Sequence, residues 1–230
     1  MRIVTSVLRV TAAALVIAAI VGQLALSVEN WTSNGEADFA YLVTNFFSFF
    51  TIESNVLSVV ILLVGAGLGF AGRGDGPVYG VARAAVVTYM ATTGIVYNLL
   101  LRGIELPQGT TLPWSNEVLH VVGPIVLVLD WLFAPGRVAL PWKRIWAIIA
   151  FPLAWVIYTL VRGIVVMDPA TGSGWYPYPF LNPATSQNGY SSVAFYVVLI
   201  AVVISAVGAG VIALSRRSGP AAETATHERT

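Results

Sequence analysis

Thr51, in the run Phe49-Phe50-Thr51-Ile52-Glu53-Ser54-Asn55, and His120 both lie inside apolar segments long enough to cross a bilayer. His120 is the only histidine outside the polar C-terminal tail, where His227 sits among small and charged residues. A threonine hydroxyl is a weak nucleophile until a neighbouring base takes its proton, and a neutral imidazole is the usual base. Together the two could attack an ester and form an acyl-threonine intermediate, with Asn55, Asn98 or Tyr158 as candidate donors to the oxyanion. One membrane histidine and scattered acids give no ligand set of recognisable spacing, so no metal and no cofactor are expected. The chain has no cysteine, which excludes thiolate nucleophiles and disulfides.

The elements that must position these residues are membrane helices. Of the 230 residues, 57% are hydrophobic and only 10% charged, and the mean hydropathy is +0.80, far from the composition of a soluble domain. Six apolar stretches of roughly twenty residues predict spans near 7–28, 44–70, 80–101, 115–133, 143–162 and 192–215. The expectation is an all-α polytopic membrane protein, with a six-helix domain over 1–215 and a disordered tail over 216–230. The first stretch also resembles a cleavable signal peptide, but it reaches full spanning length and is expected to be retained.

Arg2, Arg9, Arg73, Arg83, Arg137, Lys143, Arg144, Arg216, Arg217 and Arg229 fall on one side of such a bundle, and only Arg102 and Arg162 on the other. By the positive-inside rule both termini face the cytoplasm. With eleven arginines to one lysine, the composition suits a GC-rich bacterial genome, and the plasma membrane is the expected location. No nucleic-acid partner is expected. Small residues at Ala14, Ala18 and Gly22, and again at Ala206 and Gly210, predict close helix packing. The glycine-rich run from Gly65 to Gly76 lacks a phosphate-binding pattern and predicts packing and a turn.

Counting about 1.5 Å per residue from the outer ends puts Thr51 roughly 12 Å and His120 roughly 9 Å deep, so the two share a level. Asn98, Arg102, Tyr158 and Arg162 arrive near the same level from helices running outward. On the second helix Ser48, Thr51 and Asn55 share a face, and Glu53 points elsewhere. On the fourth, Asn116, Glu117 and His120 share a face, so Glu117 could orient the imidazole. Asp130 falls at the inner end and is expected to pair with Lys143 or Arg144 across a short turn. The outer loop, with Trp175-Tyr176-Pro177-Tyr178-Pro179-Phe180, reads either as an anchor at headgroup level or as a lid over a cavity. A rival function is a small transporter or lipid-binding protein whose polar cavity is lined by Glu53, Glu117, His120 and Arg162. The absence of an obvious internal repeat argues against it.

Phe50-Thr51-Ile52-Glu53-Ser54-Asn55, Leu119-His120-Val121-Val122-Gly123-Pro124 with Asp130-Trp131, Trp155, Tyr158 and Gly163, and Trp175 to Leu181 together resemble a known family. It is the androgen-induced protein and androgen-dependent TFPI-regulating protein family, and within it the bacterial six-transmembrane branch. The resemblance covers about residues 7–215. It implies an intramembrane threonine hydrolase that cleaves a lipid ester of the type in which a fatty acid esterifies a hydroxy fatty acid. In that reading Thr51 is the nucleophile and His120 the base, and Asn55, Asn98, Glu117, Tyr158 and Arg162 are the polar residues available to orient groups or contact substrate. The sequence around Thr51 departs from the animal pattern, and Ser54 places a second hydroxyl three residues on.

Overall fold

The computed structural model describes residues 1–104, 111–169 and 171–217; most of the tail expected over 216–230 lies outside them. Among the described residues the regular structure is helical, apart from one isolated bridge between Met167 and Gly174. The helices are α1 (Arg2–Ser33), α2 (Phe39–Phe47), α3 (Phe50–Phe70), α4 (Pro77–Val96), α5 (Pro113–Glu117), α6 (Gly123–Phe133), α7 (Ile145–Val165) and α8 (Tyr190–Arg216). A π turn, Tyr97–Leu101, extends α4, and another, Val118–Val122, joins α5 to α6. Six of the resulting rods are long and apolar enough to cross a membrane: Arg2–Ser33, Phe50–Phe70, Pro77–Leu101, Pro113–Phe133, Trp142–Val165 and Tyr190–Arg216.

α4 is the centre of the bundle. It packs against α3, α6, α7 and α8, and the unbroken run Ala84–Met90 is buried on every side, as expected of a helix with no lipid-facing stripe. α1 lies along α3 and contacts α5 and α6. Its buried face is Ala13, Val16, Ala19 and Ile20, whereas Ala14 and Ala18 point outward. Of the predicted small-residue seam, Gly22 packs closely, since a side chain there would meet Trp114 and Leu112, whereas at Ala14 and Ala18 the buried face is rotated by about one residue. α8 shows the same shift, with Ile204, Gly208 and Val211 buried and Ala206 and Gly210 exposed.

The start of α1, the α3–α4 turn, the α6–α7 connection and the end of α8 meet at one end of the bundle. Arg2 donates to the Gly72 carbonyl there, Asp75 N–H to the Gly136 carbonyl, 3.0 Å, and Leu140 N–H to Ser215 Oγ, 3.0 Å. The glycine run serves this end by close approach. A side chain at Gly65 would strike the Tyr79 hydroxyl, one at Gly69 the Ser6 hydroxyl, and Gly72 ends α3 at φ +69°.

Asp130 is the hub of the same end, but its partners differ from those expected. Arg9 holds both carboxylate oxygens, at 2.7 and 3.1 Å. Arg83 reaches Oδ2 at 2.8 Å and the Asp130 carbonyl at 2.6 Å, and extends its other nitrogen to Asp75, 2.7 Å. Lys143 and Arg144 stay exposed at the start of the fifth span. Two arginines anchored on the flanking helices α1 and α4 enclose the carboxylate, whereas Lys143 and Arg144 can remain solvated at no desolvation cost.

Asp130→Ala would leave Arg9 with no carboxylate and Arg83 with Asp75 alone. The expected loss is about 3–5 kcal/mol of unfolding free energy in detergent, and a loss under about 1 kcal/mol would show that the network does not hold the bundle.

Candidate active site

The predicted second helix, 44–70, is not continuous. α2 ends at Phe47, Ser48 caps it, and Phe49 is extended (φ −72°, ψ 127°) before α3 begins at Phe50. The break persists because its polar groups find partners. Ser48 Oγ donates to the Thr44 carbonyl, 2.7 Å, and the Ser48 carbonyl accepts from Trp155 Nε1, 3.1 Å. Thr51 consequently lies in the first turn of α3, where a helix has free N–H groups and the positive end of its dipole.

The fourth span carries the complementary distortion. Gly123 N–H bonds to the Val118 carbonyl, five residues back, rather than to Leu119. Pro124 has no N–H to offer, so the Leu119 carbonyl has no helical donor. Asn55 supplies one. Its side-chain nitrogen donates to the Leu119 carbonyl, 3.1 Å, and to the Thr51 carbonyl, 2.8 Å. That amide ties the first turn of α3 to the π turn that carries His120.

Across this junction Thr51 Oγ1 lies 3.2 Å from His120 Nε2. His120 Nδ1 lies 2.9 Å from the Asn116 carbonyl. A carbonyl oxygen can only accept, so in the neutral ring the proton is on Nδ1 and Nε2 presents its lone pair to Thr51. The Tyr97 ring stacks on the imidazole (centroids 4.1 Å apart, planes at 26°), and its hydroxyl accepts from Asn116 Nδ2, 2.5 Å. The imidazole is thus held on two sides, by Tyr97 of the first π turn and by the Asn116 carbonyl of α5.

A third group, not anticipated as part of the site, completes it. Tyr178 Oη is 3.2 Å from Thr51 Oγ1 and 3.3 Å from Thr51 N. Its ring packs edge-on against Phe49 and stacks on Phe180. Burial pushes the phenol up to about 12, so it stays protonated at neutral pH. The loop brings it there by folding inward, with Trp175, Tyr178 and Leu181 buried, which replaces the headgroup anchor with a roof. Trp175 N–H bonds to the Val166 carbonyl, 2.9 Å, and the loop seats on the end of α7 at glycines, the Tyr176 ring against Gly163 and Gly174 against the Gly163 carbonyl. Nothing in the spacing of Trp175, Tyr176 and Tyr178 distinguishes the ring that turns inward.

The remaining expected site residues lie apart from the reacting atoms. Asn55 has its amide nitrogen committed to two carbonyls and so positions Thr51 rather than facing an oxyanion. Asn98 donates to the Gly94 carbonyl and accepts from Arg102. Glu117 pairs with Arg102 at 3.0 Å on the surface and leaves orientation of the imidazole to the Asn116 carbonyl. Tyr158, 42% exposed, bonds to Ser48 Oγ, 2.8 Å. Arg162 donates to Asn45, 2.7 Å, and stacks over Trp175, 4.5 Å from the ring centre, clamping the loop to α2. Ser54 is fully buried between the Thr51 carbonyl and Thr93. No cluster of three or more His, Asp or Glu suited to a metal occurs among the described residues.

Thr51 and Tyr178 open onto a cavity of about 210 Å³ between α4, α7 and α8. Its walls are apolar, with Val96, Val156, Val197 and Ile204 among them, and Phe180 and Leu181 close it from the loop side. Leu153 and Ala201 line it and are also exposed on the outer surface, so it opens sideways between α7 and α8. Glu53, Glu117, His120 and Arg162 do not line it. No protein-family model, curated protein or solved structure matches this chain.

Asn55→Leu keeps the side-chain volume and removes the tie between the two helices. Leaving the Leu119 carbonyl unpaired should cost about 1–3 kcal/mol, and misplacement of Thr51 should slow its reaction with a fluorophosphonate by up to about 100-fold. A labelling rate within about twofold of the parent would deny Asn55 this role.

Proposed function

We propose that this protein is an intramembrane hydrolase that cleaves a lipid ester, with Thr51 as nucleophile and His120 as general base. The observation that carries the reading is the Thr51 Oγ1–His120 Nε2 contact of 3.2 Å, with the imidazole proton held on the far nitrogen, at the head of an apolar cavity. A dyad facing water would suit many acyl donors. One facing an apolar cavity that opens sideways from a membrane span suits an acyl chain taken from the bilayer.

The reaction runs in two steps. Thr51 Oγ1 attacks the ester carbonyl carbon while its proton passes to His120 Nε2. Collapse of the tetrahedral intermediate breaks the ester C–O bond, and the departing alkoxide takes that proton, leaving acyl-threonine and a free alcohol. Water, deprotonated by the same Nε2, then attacks the acyl carbon and releases the fatty acid, returning the proton to Thr51. The Asn116 carbonyl stabilises the imidazolium formed in each half. The sequence resemblance adds a fatty acid ester of a hydroxy fatty acid as the first substrate to try.

In the same reading the protein spans the bacterial plasma membrane with both termini cytoplasmic. Support comes from the gathering of Arg2, Arg9, Arg73, Arg83, Arg137 and Arg216 at the end of the bundle that holds the N-terminus, with the dyad toward the other end.

Purified protein should react with a lipid-like fluorophosphonate and hydrolyse the ester. Thr51→Ala should abolish both, and His120→Ala should lower turnover by about 100- to 10,000-fold. Ser54→Ala should retain labelling. Labelling that survives Thr51→Ala but not Ser54→Ala would move the nucleophile, and full activity in His120→Ala would remove the base.

A further inference from the structure

We infer that Tyr178 is a catalytic residue that, with the Thr51 backbone N–H, stabilises the oxyanion; this rests on the reading of Thr51 as the nucleophile. The directions of the hydrogen bonds carry it. The Asn116 carbonyl can only accept, so the proton of the neutral ring is on Nδ1, His120 Nε2 is unprotonated, and the Thr51 Oγ1 proton points to it. Oγ1 is then an acceptor toward its other neighbour, and the proton between Thr51 and Tyr178 belongs to Tyr178. Tyr178 Oη meanwhile accepts from Thr51 N–H. Each polar hydrogen in the chain from Thr51 N–H through Tyr178, Thr51 Oγ1 and His120 to Asn116 has one direction.

When Oγ1 bonds to the ester carbon, the carbonyl electron pair moves onto an oxygen attached to that same carbon. The developing anion is therefore the immediate neighbour of Oγ1, within reach of a phenol already 3.2 Å from it. As Oγ1 changes from hydroxyl to ester oxygen it becomes a poorer acceptor, and the Tyr178 O–H transfers its hydrogen bond to the oxyanion. The Thr51 N–H, freed from Tyr178, turns to the same charge at the positive end of α3. Both donors sit at the wall of the cavity, since Thr51 and Tyr178 line it. No proton is transferred from Tyr178; it donates a hydrogen bond and remains a phenol.

The loop's inward fold follows from this role. A phenol supplied from outside the spanning helices can be placed against a helix N-terminus without interrupting another span. The Arg162–Trp175 stack and the two glycine contacts hold its backbone in place.

The test is Tyr178→Phe in the full-length protein, which keeps the ring and its aromatic contacts. Turnover of the lipid ester should fall by about 100- to 1,000-fold, with KM little changed and the melting temperature retained. A trifluoromethyl ketone analogue, which adds Oγ1 and forms an oxyanion, should bind Tyr178→Phe more weakly by a similar factor, while a non-hydrolysable ether analogue binds both proteins equally. Equal ketone affinity, or an unchanged kcat, would overturn the role of Tyr178 and leave the dyad standing. A wild-type protein that neither turns over the ester nor prefers the ketone to the ether would overturn the hydrolase reading and this inference together. Should the Phe variant not fold, fluorinated tyrosine at position 178 strengthens the donor without changing the ring's outline. Graded change in kcat at constant KM supports the role, and no change overturns it.

Discussion

Hydrocarbon offers no hydrogen bonds, so a helix broken within a membrane protein must find partners for the backbone groups it releases. Among the described residues three such interruptions lie near one level: the Ser48–Phe49 break and the π turns Tyr97–Leu101 and Val118–Val122. The partners found are the site itself. Trp155 takes the Ser48 carbonyl, Asn55 the Leu119 carbonyl, His120 the Asn116 carbonyl, and Tyr178 the Thr51 N–H. Backbone satisfaction and assembly of the candidate site are one set of contacts, which is why a threonine in an apolar helix lies against an imidazole.

The opposite end of the bundle solves a different problem. Asp130 lies between the buried Arg9 and Arg83, and Asp75 takes the remaining Arg83 nitrogen. Ion pairing there joins α1, α4 and α6 without facing the cavity, and Trp131 lies under Arg83 and Arg137. Buried ion pairs thus join the frame at one end, and neutral hydrogen bonds join Thr51, His120 and Tyr178 toward the other. In low dielectric that separation leaves no full charge of the frame beside the imidazole, which the proposed reaction would alternate between neutral and charged.

Hydropathy made the six spans legible, with every end within six residues of the position expected, because twenty apolar residues in a row have few alternatives. Shared depth brought Thr51 and His120 to one level, and the structure puts them in contact. What spacing could not reveal came from departures from helical geometry. An unbroken helix over 44–70 puts Thr51 about two turns inside the helix, whereas Phe49 turns extended and leaves Thr51 in the first turn of α3, among its free N–H groups. Glu117 looked like the imidazole's partner because it shares a face with His120, yet the nearer Asn116 carbonyl needs no desolvated charge and Glu117 pairs outward with Arg102. Asp130 took partners distant in sequence rather than Lys143 or Arg144, a choice that only tertiary packing determines. Tyr178 was one aromatic among several in a loop, and its place against Thr51 came from the fold of that loop over α7.

The central claim is that Thr51 Oγ1, and no other hydroxyl of the bundle, forms a covalent bond with the acyl group. Incubating the full-length protein with a slowly deacylating lipid ester, quenching in acid and locating the adduct by peptide mass spectrometry tests it directly. The expected result is one acyl equivalent on Thr51, formed by the wild type and lost on hydroxylamine treatment. An adduct on Ser48, Ser54 or Tyr178, or ester hydrolysis with no adduct on Thr51, would contradict it.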